Sequence, residues 1–186
     1  LSADVADSPE AKIGLSLGEH EYGKLQFSYS SPINDQQGIR ISAAQLHSEG
    51  WRDHIAVDKT ELNVRHEYDI SGDERIVTSL SVSDLSQEMA SRLTDEQFAH
   101  DRTSSGLSEE VLAADPMRDS EYVRLSMQWD KTTGEEYYSV IPYLRYRTND
   151  YTATWNSNMP KVESEIKTFG VLALANLEHS QNNNSI

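Results

Sequence analysis

The chain has 186 residues, 31 acidic and 16 basic, for a formal net charge of −15, and contains no cysteine. A chain this acidic repels a polyanion, and no Lys/Arg-rich run makes a local exception, so a nucleic-acid partner is excluded. Disulfides, thiolate zinc sites and iron–sulfur clusters are excluded with the cysteines, and no apolar run approaches the about 20 residues of a membrane-spanning helix.

Hydrophobic residues make up 37% of the chain. That average suits a soluble β-protein and equally a transmembrane barrel, whose strands are apolar on alternate residues only. The chain starts on Leu1, with no charged-then-apolar leader, and stops at Asn182-Asn183-Asn184-Ser185-Ile186. It reads as an internal piece of a longer polypeptide.

The dominant period is two. In chain order, Ile13, Leu15 and Leu17 alternate with Lys12, Gly14 and Ser16, and Leu25, Phe27 and Tyr29 with Lys24, Gln26 and Ser28. Ile39, Ile41 and Ala43 then alternate with Arg40, Ser42 and Ala44, and Leu62, Val64, His66 and Tyr68 with Asn63, Arg65 and Glu67. Ile76, Thr78, Leu80 and Val82 face away from Val77, Ser79, Ser81 and Ser83. Val123, Leu125, Met127 and Trp129 face away from Tyr122, Arg124, Ser126, Gln128 and Asp130. Tyr138, Val140, Pro142, Leu144 and Tyr146 alternate with Ser139, Tyr143, Arg145 and Arg147, and a last apolar run goes from Phe169 to Leu177. Eight half-apolar strands are predicted. Pro142 cannot donate to a ladder, which predicts a bulge or an edge there.

Short and long connections alternate. Asn34 to Gln37, Ser71 to Glu74 and Thr132 to Glu135 carry tight-turn residues, whereas Glu19 to Gly23, His47 to Lys59, Glu88 to Glu121 and Asn156 to Lys167 are longer. An antiparallel meander then gathers every short turn at one rim and every long loop at the other, as in outer-membrane barrels. Phe27, Tyr29, Tyr68, Trp129, Tyr137 and Tyr138 fall toward the short-turn rim, where an interfacial aromatic girdle is expected.

A loop as long as 88–121 is expected to bind or cover something. Thr94 with Gln97 predicts a capping box, and Ser108 followed by Glu109 and Glu110, with Pro116 beyond, predicts a second helical turn. The loop holds nine acids against three arginines. The six histidines, His20, His47, His54, His66, His100 and His179, are too scattered for a metal spacing. There is no Gly-x-Ser-x-Gly, phosphate loop or His-Glu-x-x-His, so no catalytic residue, metal site or cofactor is assigned and a non-enzyme is expected.

Ser8-Pro9-Glu10 leading into Ala11 to Gly18 is similar to the passage from plug domain to first barrel strand in TonB-dependent outer-membrane receptors. Phe27 to Asp35, Gly38 to Ala44, Glu49-Gly50-Trp51-Arg52-Asp53 and Lys59 to Ile70 extend the resemblance, which is best defined over Ala11 to Ile70. It implies an all-β fold: about eight strands of an antiparallel up-and-down transmembrane β-barrel, in a family whose barrels have about 22. Residues 1–10 would be the linker from a missing plug, and 11–186 a partial barrel with a long extracellular loop at 88–121. The implied function is TonB-dependent uptake of a scarce nutrient complex, a ferric siderophore foremost, across the outer membrane of a Gram-negative bacterium. Outer-membrane lipid, the plug, the TonB complex and a small-molecule or metal-chelate ligand would be the partners. Trp51, Arg52, His54, Phe98, His100 and Arg102 would touch the ligand from the loops. Arg40, Arg65, Glu67, Arg124, Asp130, Arg145 and Arg147 would line the lumen and hold the plug. A plug-free outer-membrane porin and a soluble carbohydrate-binding β-sandwich are the alternatives.

Overall fold

The computed structural model describes residues 4–152, 154, 158 and 160–176. Leu1, Leu177, His179 and the 182–186 tail lie outside the described residues. The alternating segments are strands: β1 (Glu10–Leu17), β2 (Gly23–Asn34), β3 (Gln37–Ser48), β4 (Val57–Ser71), β5 (Glu74–Glu88), β6 (Met117–Thr133), β7 (Glu136–Thr148) and β10 (Glu165–Asn176). Between β7 and β10 stand two short strands, β8 (Asp150–Thr152) and β9 (Lys161–Val162). Two short helices, α1 (Asp95–His100) and α2 (Glu109–Ala113), lie between β5 and β6.

The main sheet is an antiparallel meander in the order β1-β2-β3-β4-β5-β6-β7-β10, with β8 pairing on β6 and β9 on β8. The three short turns reduce to residues 35–36, 72–73 and 134–135, and Gly134 takes a φ of 62°. Registers shift between Pro32 and Asn34 and between Asp69 and Ser71. Both irregularities sit beside a short turn, where an added residue increases the twist. Pro142 makes neither the expected bulge nor an edge. β7 is internal, and its pairing with β6 lapses between Ser126↔Tyr143 and Trp129↔Val140 without a change of register. Pro142 stays paired with Val171 of β10.

The sheet does not close. Among the described residues β1 pairs only with β2, and β10 only with β7 in the main path, which leaves two edges. A wall within lipid must pair every backbone N–H and C=O, and each open edge leaves a row unpaired. This corrects the expected transmembrane β-barrel and, with it, the resemblance to TonB-dependent receptors. Siderophore uptake, the outer-membrane location and the lipid, plug and TonB partners all depended on a closed wall and are corrected on the same ground. The plug-free porin fails for the same reason. No helix among the described residues is long and apolar enough to cross a membrane.

The aromatic girdle is also corrected. Phe27 lies mid-strand opposite Ile13 and Ala43. Tyr137 turns to the polar face, where its hydroxyl donates to Asp130 Oδ1 at 2.8 Å. Trp129 and Tyr138 do reach the short-turn rim, where Trp129 Nε1 donates to Glu74 Oε1 at 2.7 Å and Tyr138 to Glu136 Oε2 at 2.6 Å.

A second sheet, as in a sandwich, is not seen among the described residues. The accessible surface is 13078 Å², against about 9,000 Å² for a close-packed monomer of this mass. Val77, 7% exposed, and Pro116, fully buried, are the buried large apolar side chains among the described residues. Ile13, Leu15, Leu25, Phe27, Leu125, Met127 and Leu144 stay exposed on one face. Cohesion therefore comes from the ladders and from ion pairs on the other face.

Candidate functional site

Strand pairing gathers the polar side chains into rows across the second face. One row carries Ser28, Ser42, Asn63, Ser81, Arg124 and Arg145; the next carries Ser30, Arg40, Arg65, Ser79, Ser126 and Tyr143. A third places Gly38 beside Glu67, Val77 and Gln128, and a fourth Asp69 beside Arg75, Asp130 and Ser139. Arg147 continues the same face, opposite Tyr122. All seven positions expected to line a lumen thus share one face, which fronts open space instead. A cavity of about 580 Å³ lies over it, bounded by Arg40, Arg65, Arg124, Asn63, Ser126 and Gln128.

The charges on this face are ordered by mutual contacts. Arg65 Nε donates to Glu67 Oε1 at 2.5 Å, and Arg75 Nη2 donates to Glu67 Oε2. Burial pushes the Glu67 carboxyl up, but the Arg65 hydrogen bond, the Val5 N–H and the Arg75 and Arg65 charges outweigh it and hold the carboxyl below its ordinary range. Arg75 Nε is buried without a hydrogen bond, 3.4 Å from Asp69 Oδ1. Asp130 accepts from Gln128 Nε2 at 2.9 Å. Its carboxyl is also lowered, because bonds from Ser139, Gln128 and Tyr137 and the Arg75 charge outweigh burial. Arg124 lies over the Tyr143 ring at 5.4 Å, and Arg145 donates to Thr168 Oγ1 at 3.2 Å.

The acidic stretch Asp4-Val5-Ala6-Asp7 lies against the short-turn end of this face. Arg65 Nη2 donates to Asp4 Oδ1 at 2.7 Å and Arg40 Nη1 to the Asp4 carbonyl at 3.4 Å. Val5 N donates to Glu67 Oε1 at 3.2 Å, and Ala6 N to Ser30 Oγ at 2.8 Å. The Asp4 carboxylate is therefore held by Arg65, and the Val5 and Ala6 amides by the buried Glu67 carboxylate and the Ser30 hydroxyl.

The loop residues expected to touch a ligand gather at the opposite rim. The capping box forms as predicted, with Thr94 Oγ1 accepting from Gln97 N and Gln97 Oε1 from Thr94 N, and Ser108 caps α2. Arg52 is committed to holding the loops together: Nε and Nη2 donate to Ser104 O at 3.0 and 2.9 Å, and Nη2 to Ser91 O at 2.9 Å. Asp53 N donates to Thr103 O at 2.7 Å. Trp51 stays 53% exposed beside Arg52, Arg102 lies over Phe98 at 4.9 Å, and His100 ends α1.

Scattered histidines still find carboxylates through folding. His54 comes beside Glu88 and Asp115, and His47 beside Glu21 and Glu49. His47 Nδ1 bonds Asp58 Oδ1 at 2.8 Å, which raises its pKa. Spacing in the chain carries no trace of either group, because β-pairing and loop closure create the proximity. No protein-family model matches this sequence, and no curated protein matches it.

Proposed function

We propose that this chain is a non-catalytic binding module whose arginine-bearing sheet face takes an extended, carboxylate-bearing carbohydrate. The Asp4 carboxylate paired with Arg65 carries the reading, as an anion from this chain's own sequence that meets an arginine of this face. Arg–carboxylate bonds are charge-assisted and directional. Arg40, Arg65 and Arg124 border one cavity that also contains Ser42, Ser79, Ser81, Ser126, Asn63 and Gln128, amide and hydroxyl groups that match sugar hydroxyls. A uronate polymer supplies both chemistries at each repeat. The face also concentrates cations on a chain of net charge −15, so it attracts an anion locally.

The test is calorimetric titration with oligogalacturonate, a neutral maltooligosaccharide and a poly-glutamate peptide. Saturable oligogalacturonate binding that weakens with salt and falls at least tenfold in Arg124→Ala supports the proposal. Absence of binding, an equal response to the neutral sugar, preference for the peptide or indifference to Arg124→Ala overturns it.

A further inference from the structure

We infer that His54, Glu88 and Asp115 form a divalent transition-metal site that clips the end of β5 to the two loops around it. One ligand atom from each residue lies within 4.8 Å of the others. The His54 side chain is only 8% exposed, and its Nε2 is 3.1 Å from the Pro116 carbonyl oxygen. A carbonyl can only accept, and this one also accepts from Met89 N at 2.8 Å. Nε2 therefore carries the proton, an assignment made from its partner.

In neutral imidazole that tautomer leaves a lone pair on Nδ1. The lone pair meets another acceptor, Glu88 Oε1, at 3.4 Å. Two acceptors in that position are bridged either by a metal ion or by a second proton on the ring, and the metal is the bridge proposed here. For bonds of 2.0–2.1 Å at a tetrahedral angle, two ligand atoms on one Zn²⁺ stand about 3.4 Å apart. Glu88 is oriented for the same purpose, since its other oxygen, Oε2, accepts from Ala56 N at 2.8 Å. Both donors thus have the outer-shell support typical of metal ligands: a ring N–H on a backbone carbonyl and a tethered carboxylate.

The exposed Asp115 carboxylate belongs to the same group; its Oδ1 stands 3.9 Å from Nε2, the nitrogen that carries the proton, so it joins a metal at Nδ1 only by turning its side chain toward Glu88. His54 and Asp115 both hold left-handed backbone, at φ 61° and 48°. One nitrogen and two carboxylates with an outer position open to water suit Zn²⁺ or its first-row neighbours better than Ca²⁺, which takes six to eight oxygens. The His47 group differs in lying open to solvent, with its side chain 42% exposed against 8% for His54.

Zn²⁺ titration of the metal-stripped full chain by calorimetry tests the inference, with Mg²⁺ as comparator and circular dichroism verifying each variant's fold. The expected result is one Zn²⁺ per chain, at least tenfold tighter than Mg²⁺. His54→Ala and Glu88→Gln should each weaken it at least tenfold, whereas His47→Ala should not. Glu88→Gln keeps a carbonyl acceptor for Ala56 N and so remains informative if His54→Ala fails to fold. In the Co²⁺-substituted chain, visible absorption should report a nitrogen ligand that His54→Ala removes. No stoichiometric binding, binding lost in His47→Ala alone, or binding unchanged by Glu88→Gln overturns the inference. The last two would leave His54 and Glu88 as a protonated ion pair.

Discussion

Arg65 Nη2 donates to Asp4 Oδ1 at 2.7 Å while its Nε donates to Glu67, so one guanidinium on β4 ties a residue 61 positions upstream to a buried carboxylate two positions on. Removing the guanidinium takes away the Asp4 side-chain anchor, loosens the carboxylate that receives Val5 N, and leaves Glu67 with Arg75 as its remaining cationic partner. Arg65→Ala should cost about 1–3 kcal/mol, the scale for exposing a buried acceptor to loss of its donor. Hydrogen exchange at the Val5 and Ala6 amides should quicken at least tenfold. Unchanged exchange at both amides would show that Arg65 does not hold the segment.

The same cluster sets an acid limit. Glu67 is more acidic in the folded chain than its ordinary 4.5, so the folded state binds fewer protons than the unfolded one in acid. Its contribution is complete above that ordinary value and is lost as pH falls through the lower folded value. Asp130, also lowered from an ordinary 3.8, adds a loss below that point. Denaturant midpoints measured from pH 6 to pH 2 should therefore decline below about pH 4.5, and Glu67→Gln should flatten the upper part of the decline. An identical slope in Glu67→Gln would remove Glu67 as a source.

Strands and caps were legible because they are local: Thr94 reads Gln97 three residues on, and Val123 to Trp129 alternate whatever lies beside them. The face shared by Arg40, Arg65, Arg124 and Arg145 follows from the same period of two. Closure was not legible. A meander with alternating short and long connections has the same pattern open or closed, and only the pairing of β1 and β10 decides. The aromatic girdle failed for a related reason, since Tyr137 and Tyr138 are adjacent and must face opposite ways. His54, Glu88 and Asp115 lay beyond any spacing rule because loops of unrelated length bring them together.

Two glycines separate steric from purely conformational cost. Both hold left-handed φ, 78° at Gly50 and 62° at Gly134. A Cβ at Gly50 runs into Ile55 Cγ1, whereas at Gly134 nothing lies within 4 Å. Gly134→Ala should cost about 1 kcal/mol, the scale of left-handed strain alone. Gly50→Ala adds displacement of Ile55 and should cost about 2–4 kcal/mol. Thermal melts of the two variants check this, and equal shifts would mean that the Ile55 contact is relieved without cost.

Tyr143 lies across the backbone of its β10 partner Gly170, where a Cβ would stand 2.5 Å from the ring Cζ and the hydroxyl oxygen. An aromatic ring over a strand glycine covers backbone that the missing side chain leaves bare. Gly170→Ala must swing the ring aside, and with it the face over which Arg124 lies. Gly170→Ala and Tyr143→Ala should therefore be non-additive in a denaturant double-mutant cycle, with a coupling energy above about 0.5 kcal/mol. Gly170→Ala should also weaken oligogalacturonate binding in the direction of Arg124→Ala, because the guanidinium loses its aromatic support. Additive stabilities would show that the ring and the glycine act independently, and unaltered binding would place Tyr143 outside the ligand face.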